Sequence, residues 1–89
     1  MEPRILYDIT DPVDREELAH WVKKGVYNYA VAMPEEVPTA ELEDLFKKAG
    51  YLHISIDAAK WPKEATVATE RGVYRFRKIE EGIYRLFID

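Results

Sequence analysis

The chain has 89 residues and no cysteine, so it makes one domain without disulfides or thiolate metal sites. Its formal net charge of −4 argues against general nucleic-acid binding. The run MEPRILYDITDP is broken by Arg4, Asp8 and Pro12 and predicts no signal peptide, and no apolar run reaches the length of a membrane span.

The absence of cysteine fits a reducing compartment, and a cytoplasmic protein with no membrane partner is expected. Neutral polar residues are scarce: one serine, one asparagine and no glutamine, against 34% charged residues. Few amides and many Glu, Lys and Arg mark thermostable proteins, and also de novo designs. Charge is unevenly spread. Residues 1–64 carry −5 and residues 65–89 carry +1, so any anion-binding surface belongs to the C-terminal part.

Taken in order, RILYDI (4–9) alternates as a first strand. Asp11 and Pro12 then cap and open a helix that Gly25 ends, with Leu18, Trp21 and Val22 as its buried stripe. VYNYAVAM (26–33) reads as a second strand, apolar enough to be central. Thr39 is expected to cap a second helix, closed by Gly50, with Leu42, Leu45, Phe46 and Ala49 on one side. YLHISID (51–57) is the third strand, with Leu52, Ile54 and Ile56 facing the core and Tyr51, His53, Ser55 and Asp57 facing away. AAKWPKEA is irregular, because Pro62 disfavours a helical Trp61.

The last 24 residues form a meander of three strands. ERG (70–72) and EEG (80–82) each end on glycine, which suits three-residue hairpin loops. That choice puts Thr66, Ala68, Tyr74, Phe76, Tyr84, Leu86 and Ile88 on one face. Val67, Thr69, Val73, Arg75, Arg77, Ile79, Ile83, Arg85 and Phe87 share the other. The order β-α-β-α-β-β-β-β gives an α+β fold, with two amphipathic helices on one face of a mixed sheet and the antiparallel meander at its C-terminal end.

The alternation His53, Ser55, Asp57 has the residue types of a nucleophilic triad in the wrong arrangement. Serine stands in the middle, and His53 and Asp57 lie roughly 13 Å apart on an extended chain. No catalytic residue is expected, and an enzyme using His53 and Asp57 is the least favoured reading. Glu16 and His20 share a helix face but lack a third ligand, so neither metal nor cofactor is expected.

Two surfaces are candidates. Arg75, Arg77 and Arg85, with Phe87 on the same face and Tyr51 and His53 on the third strand, suit a protein partner or an anion. The same residues admit single-stranded nucleic acid, which arginine and aromatic sheet faces hold by stacking. The acidic helix residues Asp14, Glu16, Glu17, Glu41, Glu43 and Asp44 suit a basic partner, as an inhibitor presents. The first expectation is a non-enzymatic protein-interaction module: an inhibitor, an accessory subunit or an engineered binder. The C-terminal strand, ending LFID, is expected at a sheet edge, free to pair with another copy.

Overall fold

A computed structural model describes residues 2–89. The order is β1 (Leu6–Asp8), α1 (Pro12–Lys24), β2 (Ala30–Ala32), α2 (Thr39–Lys48), β3 (Ile54–Asp57), β4 (Glu64–Thr69), β5 (Gly72–Glu80) and β6 (Ile83–Ile88). This is the α+β architecture expected from the sequence. The six strands form one mixed sheet in the order β1-β2-β6-β5-β4-β3. Only β1 and β2 run parallel; every other neighbour is antiparallel.

Local chemistry explains both helices. The Asp11 carboxylate accepts from the Val13 N–H at 2.9 Å, satisfying one of the free donors at the start of α1. Gly25, at φ +77°, takes the left-handed conformation that ends it. Thr39 is the first residue of α2 rather than its cap; Pro38 precedes it without a side-chain hydrogen bond. Leu18 and Val22 of α1 and Leu42, Leu45 and Phe46 of α2 are fully covered, each side chain worth about 2 kcal/mol of burial. Arg15 ties the helices together through Asp44 at 2.9 Å.

Both helices lie on one face of the sheet, over Tyr7, Val31, Val67, Tyr74, Phe76, Tyr84 and Leu86. The interior is rich in tyrosine. Trp21 Nε1 donates to the Tyr7 hydroxyl at 2.9 Å, and that hydroxyl donates to Glu17. The Tyr51 and Tyr74 hydroxyls share one hydrogen bond. Trp61 stacks on Tyr84 with ring centres 5.0 Å apart, and the Tyr84 hydroxyl donates to the Pro62 carbonyl.

Several strand expectations change. β2 is only Ala30–Ala32, because the Val26 N–H is still bonded to the Trp21 carbonyl at the end of α1. β3 starts at Ile54. Its forerunner Tyr51 is tied to the end of α2 by a bond from its N–H to the Phe46 carbonyl, so Tyr51 is buried and Leu52 is 80% exposed.

The first hairpin pairs Thr69 with Gly72 around a two-residue turn, Glu70–Arg71. One residue of register reverses β4: Ala65 and Val67 face the helices, while Thr66 and Ala68 face away. The second hairpin keeps the register of a three-residue loop, relieved by a bulge at Ile79. Ile88, expected in the core, is half exposed. β6 lies between β2 and β5, so the edges are β1 and β3, not the C-terminal strand.

Candidate functional site: the open face of the sheet

Because both helices pack on one side, the other side of the sheet has no covering layer among the described residues. The registers place its side chains in rows. Leu6, Ala30, Arg85, Arg77 and Glu64 make one row across β1-β2-β6-β5-β4. Phe87, Arg75, Thr66 and Asp57 make the next across β6-β5-β4-β3. Ile83 and Ile79 extend the apolar part beside the bulge. The expected gathering of Arg75, Arg77, Arg85 and Phe87 on one face is therefore present.

The three arginines are not equivalent. Arg75 is clamped by Glu64 at 2.7 Å and Asp89 at 2.8 Å. Hydrogen bonds to Asp89 and then Glu64 push its pKa further up and engage both of its terminal nitrogens internally. Arg77 and Arg85 stand directly opposite each other and make no ion pair among the described residues. The Arg77 guanidinium lies over the Phe87 ring, 6.0 Å from its centre. Arg77 also borders an open hollow of about 480 Å³ lined by Lys63, Glu64, Lys78, Ile79, Glu80 and Glu81.

The other residues named from sequence fall elsewhere. Tyr51 leaves the surface altogether, since it faces the helices, and burial with its bond to Tyr74 pushes its hydroxyl up to about 12. His53 is exposed just before β3, and its N–H donates to Glu70. Ser55 and Asp57 are exposed on the open face, and Asp57 accepts from the Ala59 N–H at 2.9 Å. The two hollows of the open face are not lined by His53, so the structure does not draw the three polar residues into one pocket.

The acidic helix surface is divided. Asp14 bonds Arg4 and the Asp8 N–H, which holds its carboxyl below the usual carboxylate range. Glu17 receives the Tyr7 hydroxyl, and Asp44 holds Arg15 and Lys48, its carboxyl lowered chiefly by the Arg15 hydrogen bond. Glu16, Glu41 and Glu43 make none of these bonds, so three of the six acids serve internal structure.

Sequence reasoning missed Glu64 and Asp89 as partners of Arg75, and Leu6 as a member of the open face. The signal for Glu64 lay in β4 itself, where Glu64 and Thr66 alternate with apolar Ala65 and Val67. Comparison with protein-family models, with characterised proteins and with solved structures finds no match to this chain.

Proposed function

We propose that this chain is a non-enzymatic interaction module that binds an acidic protein surface through the open sheet face. The observation that carries the reading is the pair Arg77 and Arg85. In a molecule of net charge −4, two adjacent exposed guanidiniums make no ion pair among the described residues. Leu6, Ile79 and Phe87, each close to half exposed, flank them. Exposed arginine beside apolar and aromatic side chains is the composition of a protein interface. Planar guanidiniums match carboxylates two bonds at a time. The partner is therefore a protein that presents carboxylates among apolar side chains, and the module is an accessory subunit or an inhibitor.

The test is fluorescence anisotropy with a labelled peptide of alternating glutamate and leucine, run beside labelled single-stranded RNA and DNA. The peptide is expected to bind, and Arg77→Glu/Arg85→Glu is expected to abolish binding with the fold intact by circular dichroism. Equal binding by the double variant, or no binding by the parent, overturns the reading. Oligonucleotide binding that falls steeply with salt would replace the acidic protein with a nucleic acid.

A further inference from the structure

A sheet edge is a row of unpaired backbone donors and acceptors, and proteins blunt such rows with lysine, proline, bulges or covering segments. The two edges of this sheet are treated differently. At β1 the Asp8 N–H is taken by the Asp14 carboxylate and the Asp8 carbonyl by the Asp11 N–H, so helix α1 closes one end of that short strand. At β3 the register with β4 runs unbroken from Ile54 to Asp57, without lysine, proline or bulge. Apart from that ladder, no backbone group of residues 54–57 makes a hydrogen bond among the described residues.

The sequence of this unguarded edge complements its own reverse. Laid antiparallel on a second copy with Ser55 against Ser55, HISID places Ile54 opposite Ile56 and His53 opposite Asp57. Ile54 and Ile56 lean toward the helix side, where both already pack against the core. Ser55 and Asp57 belong to the open side, and His53 is exposed just before the strand; pairing extended by that one residue brings imidazole and carboxylate together twice, once on each side of the two-fold axis. Sliding the register by one residue sets polar against apolar and loses both matches.

We propose that β3 pairs with the β3 of a second copy in this register, forming a two-fold dimer with one continuous sheet. Directly opposed apolar pairs, and opposed polar side chains that bond each other, are the stabilising units of such a ladder. The axis stands perpendicular to the sheet, so the open faces of both copies look the same way, and the dimer does not use Arg77 or Arg85. The short strand makes this a small interface, and the dimer gathers only at high protein concentration.

Sedimentation velocity from micromolar to millimolar concentration reads the association. The mass is expected to rise toward two chains. Asp57→Lys removes the cross-copy match and is expected to weaken the dimer about tenfold, whereas His53→Asp/Asp57→Lys sets aspartate against lysine across the axis and restores it. Both variants lose the Asp57 bond to Ala59 equally, so a local effect of that loss cannot mimic the rescue.

A second readout exploits the cysteine-free chain. Ser55→Cys sets two thiols opposite each other and is expected to give a disulfide-linked dimer with mild oxidant, while Ala59→Cys in the following turn is not. A monomer at every concentration without Ser55→Cys linkage overturns the proposal. So does a dimer indifferent to Asp57→Lys, or one that His53→Asp/Asp57→Lys fails to restore.

Discussion

Arg77 and Arg85 face each other directly across β5 and β6, and neither touches a carboxylate. Like charges in directly opposed positions weaken a sheet, and opposite charges strengthen it by about 0.2–1 kcal/mol. Arg85→Glu is therefore expected to raise the urea midpoint slightly while removing the binding of an acidic peptide. Under the proposed function, the contact that Arg85 makes with the partner offsets this cost. A lower midpoint, or unchanged binding, would remove this argument for the site.

The Tyr29 hydroxyl is buried with no hydrogen-bond partner among the described residues. Its ring meets Tyr7 edge to face at 5.4 Å, and burial pushes its ionisation far above the usual phenol range. A buried polar group without a partner costs about 1–3 kcal/mol. Tyr29→Phe keeps the ring and removes the cost, so it is expected to stabilise the protein by about 1 kcal/mol in urea unfolding. Tyr84→Phe is the counterpart. Its hydroxyl donates to Pro62 at 2.5 Å, and the same change there is expected to destabilise by about 1 kcal/mol. Loss of stability in Tyr29→Phe would show that the hydroxyl is satisfied after all.

Alkali probes the second tyrosine cluster. Burial, then the bond to Tyr74, moves Tyr51 up to about 12, against about 10 for an exposed phenol. The fold therefore favours the neutral hydroxyl. The stability that follows is complete below about pH 10 and is lost as pH rises toward the folded value near 12. Tyrosinate absorbance measured with circular dichroism is expected to show the half-buried Tyr27 ionising first and the five buried phenols together with unfolding. Ionisation of all tyrosines near pH 10 with the fold intact would contradict the buried Tyr51–Tyr74 contact.

What was readable from sequence follows from how local each signal is. Helix α1 carries its own ends, Asp11 with Pro12 and then Gly25, and appears where they place it. The faces of β5 and β6 are legible because Tyr74, Phe76, Tyr84 and Leu86 alternate with arginines. The two hairpins look alike as ERG and EEG but differ in structure. Gly82 sits inside its loop at φ +74°, whereas Gly72 is already paired with Thr69, whose hydroxyl accepts the Arg71 N–H. That single residue decides which face of β4 is buried. Tyr51 was misplaced for a similar reason: strand alternation was carried back through a residue that belongs to the end of helix α2. The inequality of the three arginines was not legible, since it depends on Glu64 and Asp89, 11 and 14 residues away from Arg75.

That inequality gives a final prediction. Glu64 and Asp89 both hold Arg75 on the open face, one row from the free pair. Loosening one of these two ties should bring a third guanidinium toward the surface that the proposed function assigns to carboxylates. Glu64→Gln removes one clamp and one negative charge while preserving shape. Because the pair is partly exposed, its loss is expected to cost no more than about 1 kcal/mol in urea unfolding. Affinity for the glutamate–leucine peptide is expected to rise several-fold, with most of the gain in the association rate and strongest at low salt. Adding Arg75→Lys to Glu64→Gln keeps the net charge of the single variant but loses the planar guanidinium, and is expected to cancel most of the gain, which separates release of Arg75 from a simple change in net charge. A gain that survives Arg75→Lys would assign the effect to the altered field of the whole face.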